Sequence, residues 1–166
     1  MRLRSGYRRY EQAKAEIERA IAVNPNDANA LAGRGNILMW SGQTDAAIET
    51  LELAQRIDPE LNPFDRSALS LAYYLKQRYD AAAEQAEINL RLTEGANFSR
   101  IVLAAADAQL NRTEETARAV ATIRRLDPTF DPQEFGTKFL NVDDLEHLRE
   151  GLRKAGLLAP ETGHGR

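Results

Sequence analysis

Two prolines, Pro25 and Pro59, stand 34 residues apart, and each closes a run written the same way: IERAIAVNP and LELAQRIDP. A period of this size constrains the fold more than any single residue does. A unit so short cannot bury its own apolar face and must stack on copies of itself. Matching openings lie upstream of each proline, Tyr10-Glu11-Gln12-Ala13 and Thr44-Asp45-Ala46-Ala47. A third copy has Leu69, Ser70 and Tyr73 in its first half and opens its second half at Tyr79-Asp80-Ala81-Ala82, shifted by one residue near Leu61-Asn62-Pro63. A fourth carries Leu103 and Ala104, then Thr113-Glu114-Glu115-Thr116, and closes at Pro128.

The stretch from Asn29 to Pro59 shows what one unit is. It reads as two amphipathic helices broken once, at Ser41-Gly42-Gln43. Gly35 in the first and Ala47 in the second are small enough to let antiparallel helices approach, and Leu38 and Leu51 fill the seam around them.

A helix-turn-helix unit with small, large and proline positions in this order resembles the tetratricopeptide repeat. Leu31, Gly35, Leu38, Ala47, Leu51, Ala54 and Pro59 match that pattern, and Arg34 departs from it where the family has leucine. The resemblance covers residues 7–128. It implies an all-α, right-handed superhelical solenoid of antiparallel helix hairpins, about three and a half repeats long, with a C-terminal capping helix. The repeats divide as a half-repeat over 7–25 and full repeats over 28–59, 63–95 and 97–128. A capping segment and helix follow over 129–158, then a flexible tail over 159–166. The chain starts inside a repeat, which reads as a segment cut from something longer; the alternative is an N-terminal cap helix over Gly6–Val23.

Local signals set the helix ends. Asp27 is a good N-cap for a helix from Ala28 to about Trp40, and Asn62-Pro63 combines a cap with proline at the first helical position. Where the third repeat lacks its proline, at Glu94, Gly95 is expected to end the helix as a left-handed cap. Asn89 stands where the family has alanine, so looser packing is expected between the third and fourth repeats. After Pro128, Phe130, Phe135, Phe139 and Leu140 cluster around Asp131-Pro132, which should cap a short helix. A last helix is expected from Asn141 to Gly156, with acidic residues at its start and basic ones at its end, and with Val142, Leu145, Leu148 and Leu152 as its apolar stripe.

LAYYLKQRYDAAA, LAAADAQLNRTEETARAVATIRRLDPTF and DDLEHLREGLRKAGL together look like the C-terminal repeat segment of bacterial class III adenylate/guanylate cyclase proteins and related signalling regulators. This narrower resemblance covers residues 62–158. It implies a regulatory segment and carries no cyclase activity over, since no cyclase domain is present in the 166 residues.

First helices of such repeats line the concave face. The register places Asn29, Asn36, Met39 and Trp40 there, then Phe64, Ser67, Leu71 and Tyr74, then Phe98, Ile101 and Ala105. This aromatic, apolar surface suits a protein or peptide partner. The competing reading fills it internally, with the Phe130–Phe139 segment, with the last helix, or with a second copy of the chain as a homodimer. Some family members clamp a C-terminal carboxylate with basic residues and an asparagine. Asn36 matches that asparagine, but Ala32, Ser67 and Ile101 occupy the places of the basic partners, so an anionic C-terminus is not the expected ligand.

Composition excludes several classes. A net charge of −3 argues against nucleic acid as the partner, and the absence of cysteine removes disulfides, thiolate metal sites and a cysteine nucleophile. Arg2, Arg4, Arg8 and Arg9 form a basic cluster that reads as a solvated helix start. His147, with Asp143 and Glu150 nearby on one helix, reads as part of an exposed charged face rather than a metal site; His164 belongs to the tail. No phosphate-binding loop or acid-base pair is recognisable, so no enzyme, cofactor or metal is expected. No apolar run is long enough for a membrane span and no secretory signal opens the chain, which reads as cytoplasmic.

Overall fold

A computed structural model describes residues 2–135 and 141–159, with side chains from Glu11 onward. Eight helices are found among the described residues, and no strand: α1 Arg2–Val23, α2 Ala28–Trp40, α3 Thr44–Ile57, α4 Pro63–Leu75, α5 Tyr79–Leu92, α6 Asn97–Gln109, α7 Thr113–Leu126 and α8 Val142–Lys154. Helices α2–α3, α4–α5 and α6–α7 form three hairpins stacked in chain order, with α1 packed on α2. The chain is the all-α solenoid that the period requires. The side chains of Arg2, Arg4, Arg8 and Arg9, and the residues Phe139, Leu140 and His164, lie outside the described parts, as does the tail from 160 on.

The caps follow the local chemistry. The Asp27 carboxylate accepts from the Ala30 N–H at 3.0 Å, and the Asn62 side chain accepts from the Asp65 N–H at 3.0 Å with Pro63 in the first turn. Each hairpin then turns through one residue in the left-handed region: Gly42 at φ 79°, Gln77 at 57° and Asn111 at 58°. In all three turns the same two bonds close the helix, for example Gly42 N–H to Met39 C=O at 3.1 Å and Gln43 N–H to Leu38 C=O at 2.9 Å. Glycine takes this backbone at no steric cost, and asparagine tolerates it. Gln77 carries a Cβ that crowds its own carbonyl. Replacing the exposed Gln77 by glycine is therefore expected to stabilise the chain by about 0.5–1 kcal/mol, read as a rise in urea midpoint with unchanged slope.

The hairpins end differently. Asp58 and Thr93 terminate α3 and α5 in extended conformation, at φ −132° and −147°, and Asp127 ends α7 at a similar φ of −136°. Proline follows Asp58 and Asp127 and disfavours helical backbone at the residue before it. Glu94 follows Thr93, yet the backbone there is the same, so stacking of one hairpin on the next sets it. Gly95 is not the left-handed cap expected from sequence: among the described glycines only Gly42 and Gly156 have positive φ.

The seam of the first full hairpin is as close as its small residues allow. A Cβ on Gly35 would fall 2.5 Å from Leu51 Cγ. Fully buried Ala47, Ala54, Ala82, Ala86, Ala104 and Ala106 repeat the same economy of size along the stack. The third interface is tight rather than loose. Asn89 is completely buried, and its amide nitrogen lies 2.8 Å from Pro63 C=O, 2.9 Å from Ser67 Oγ and 2.8 Å from Ser99 Oγ. Arg66 Nε donates to Asn89 Oδ1 at 2.8 Å. A polar knot across α4, α5 and α6 thus replaces the alanine contact that Ala54 makes in the α2–α3 hairpin.

Two further expectations change in the C-terminal part. Asp131-Pro132 opens a turn, not a short helix: Asp131 Oδ1 accepts from the Gln133 N–H at 2.8 Å, and no helix follows among the described residues up to Phe135. Val142, assigned to the apolar stripe of the last helix, is solvent-exposed, whereas Leu148 and Leu152 are fully buried.

Candidate functional site

The inner face of the solenoid is built by α2, α4 and α6. Its α4–α6 half is occupied by the chain's own last helix. Asn141 caps α8, accepting from the Asp143 N–H at 2.9 Å, and sits against Gly42 of the α2–α3 turn. From there α8 lies on α4 and α6. Gly151 faces Tyr74 so closely that a Cβ would fall 2.0 Å from the tyrosine oxygen and 3.2 Å from Ala105 Cβ. Beyond Gly151, Lys154 Nζ donates to Gln109 Oε1 at 2.6 Å, and Arg124 Nη2 donates to Gly156 C=O at 3.0 Å. Leu148 and Leu152 flank the contact; burying a leucine contributes about 1.5–3 kcal/mol.

Tyr74 is the pivot of this contact. Its hydroxyl donates to His147 C=O at 3.2 Å and accepts from Gln109 Nε2 at 3.2 Å. Burial pushes the phenol well above its ordinary range, with the Gln109 bond pulling weakly the other way. The His147 ring lies 5.0 Å from that of Tyr74 and 6.0 Å from that of Tyr79, with Nε2 3.3 Å from Tyr79 Oη. His147 therefore faces two tyrosines. This corrects its placement on an exposed charged face; Asp143 and Glu150 remain at the surface.

At the other edge of the inner face runs an aromatic series. Phe64 lies 5.6 Å from Phe98, Phe98 5.1 Å from Phe135, and Phe135 6.1 Å from Phe130, ring centre to ring centre. Thus the segment after α7 folds back onto the α6 end of the surface, and the series stops at Phe64, a residue 47% exposed.

The residues placed inward by the register divide accordingly. Ser67, Leu71, Tyr74, Ile101 and Ala105 are buried and offer no open surface; Tyr74 and Ala105 lie against α8, and Ser67 belongs to the Asn89 knot. Met39 is fully buried, Asn36 nearly so, and Trp40 packs half-buried against the core. Phe98 is half-buried in the aromatic series. Asn29 and Phe64 are exposed. An open groove along all three hairpins is therefore reduced to an edge at α2 and the start of α4. The signals that sequence reasoning passed over were Gly151, a glycine within an amphipathic helix, and Asp65, which sits between the two asparagines Asn36 and Asn62. Asn36 Nδ2 reaches Asp65 Oδ1 at 2.6 Å, and Asn62 Nδ2 donates to Asp65 Oδ2. Burial pushes the Asp65 carboxyl up, and these two amides lower it again.

Among the described residues no group of three or more His, Asp or Glu is placed to hold a metal ion, and no helix is long and apolar enough to cross a membrane. Residues 6–63 match the family model described as tetratricopeptide repeat. No curated protein matches the chain. Among solved structures, the crystal structure of YrrB, described as a TPR protein with an unusual peptide-binding site, is similar with a TM-score of 0.65. Sequence identity is 20%, over 97% of this chain and 84% of that one.

Proposed function

We propose that this chain, a solenoid of tetratricopeptide-type hairpins, is a non-catalytic protein–protein interaction module whose inner face binds a peptide segment of a partner. The observation that carries this reading is the seating of α8. The α4–α6 surface holds an amphipathic helix by two leucines, a glycine contact and a tyrosine hydroxyl, so it has the shape and chemistry of a helix-binding groove. The uncovered continuation, at Asn29, Phe64 and Asp65, is where a partner segment meets the chain. The peptide-binding site named for YrrB supports the same use of this fold. The buried polar groups support a non-catalytic role, since they serve structure. Tyr74 anchors α8, Asn89 ties three helices, and buried Asp107 pairs with Arg112 at 3.3 Å, which also reaches Asp80 at 2.6 Å.

The narrower reading is a regulatory domain of a bacterial signalling protein acting in the cytoplasm. It rests on the resemblance of residues 62–158 to repeat segments of class III cyclase proteins, and an upstream catalytic or DNA-binding domain in the full open reading frame is the observation that tests it. Self-association is the second reading, favoured by the half-exposed Phe64 ring. Light scattering separates the two. We expect a mass independent of concentration, and loss of about tenfold in affinity for selected peptides on Phe64→Asp. A dimer dissolved by Phe64→Asp would instead establish self-association. Tyr74→Asp is unsuitable here, because it places a charge beneath α8.

A further inference from the structure

We propose that the edge between α2 and α4 is a subsite for a basic side chain, lysine or arginine, of the peptide partner, with the Asp65 carboxylate as its counter-ion. This rests on the interaction-module reading above and names the partner's chemistry. Three observations lead to it. Asp65 is a half-buried carboxylate whose hydrogen-bond partners are all neutral: its two oxygens accept from the amides of Asn36 and Asn62. None of the ion pairs among the described residues involves it. Asn36, only 8% exposed, has used both amide hydrogens, on Ala32 C=O at 3.0 Å and on Asp65. Its oxygen is buried and has no partner. What remains is acceptor only: the half-buried Asp65 carboxylate and, within the protein, the unpartnered oxygen of the asparagine that bonds it. A buried acceptor without a donor is costly, and a carboxylate out of water favours a cation. Asn36 thus serves the opposite charge from the carboxylate clamp it matches in sequence, because its donors are already committed to Ala32 C=O and Asp65.

The test is a display library of random peptides, acetylated at the N-terminus after synthesis for affinity measurement, panned on the full chain. Peptides from the wild-type chain should share a lysine or arginine at one register position. Asp65→Asn, nearly the same shape, should weaken them about tenfold, between the values for exposed and for desolvated ion pairs. Asp65→Lys should abolish binding, and changing the peptide's basic residue to glutamate should restore it on that variant. Circular dichroism melts of both variants show that the fold is kept. Peptides that bind the chain with no basic position, or that bind Asp65→Lys as well as wild type, would overturn this inference and leave the interaction-module reading standing. A chain that enriches no peptide at all would overturn both.

Discussion

Asn89→Ala is expected to lose about 3 kcal/mol of stability, although alanine is the residue the repeat pattern favours there. In α3 the corresponding place is Ala54, fully buried and well packed. In α5 the amide of Asn89 holds Arg66, a residue only 6% exposed. The guanidinium has no carboxylate partner among the described residues. It donates to Asn89 Oδ1, to Thr93 Oγ1 at 3.1 Å and, at a long 3.4 Å, to Pro59 C=O. The C-terminal ends of α3 and α5 turn their negative dipole ends toward it. Truncating Asn89 removes the shortest of these bonds, opens a small cavity and leaves Ser67 and Ser99 with one donor fewer. The hydroxyls can still bond each other, at 2.7 Å; the arginine has no such fallback. Urea unfolding reads the loss as a lower midpoint at unchanged slope. Adding Arg66→Met to the alanine variant should recover part of it, since removing both partners of a buried polar contact costs less than removing one. An Asn89→Ala chain as stable as wild type would show that the repeat pattern, and not the polar knot, governs this interface.

The second large effect is at Gly151. On helix propensity alone, Gly151→Ala should gain about 1 kcal/mol. The expected result is a loss of about 1–3 kcal/mol, the usual cost of overpacking a filled core. The new methyl would sit 2.0 Å from Tyr74 Oη and 2.9 Å from its ring carbon Cζ. Tyr74 has no room to yield: it is fully buried and held at its hydroxyl from two sides. Helix α8 must therefore lift. Amides of α8 should exchange with solvent faster in the variant, while those of α2 and α3 keep their protection. Tyr74→Phe in the same background removes the oxygen and should recover part of the loss. A melting temperature that rises, as for an ordinary surface glycine, would refute the close seating of α8.

Much of the solenoid was legible before the structure because its information is local. Asp27 and Asn62 cap helices through atoms three residues away, Pro63 suits a first turn, and Gly35 and Ala47 meet across a turn of a few residues. Where the reading failed, local chemistry was outvoted. Gly95 is capable of a left-handed cap, but Thr93 is extended and ends α5 there, where the α6–α7 hairpin stacks on α5. Asn89 looks like a flaw when compared with alanine; its partners are 22 and 23 residues back, at Ser67 and Arg66, and 10 residues ahead, at Ser99.

The candidate site marks the same boundary more sharply. The register proposed inward-facing positions from the repeat alone, since side-chain direction follows helical phase. It left open whether they face solvent, a partner or the chain itself, because occupancy depends on where a distant segment lands. Tyr74 and His147 are 73 residues apart, and no periodicity connects them. By itself the sequence determined the helices and their pairing, which follow from contacts between near neighbours. Only the tertiary structure decided that α8 lies over α4 and α6, that Asn36 turns a donor to Asp65, and that the open surface narrows to the edge near Phe64. Those are long-range contacts, settled by shape and by the satisfaction of buried polar groups.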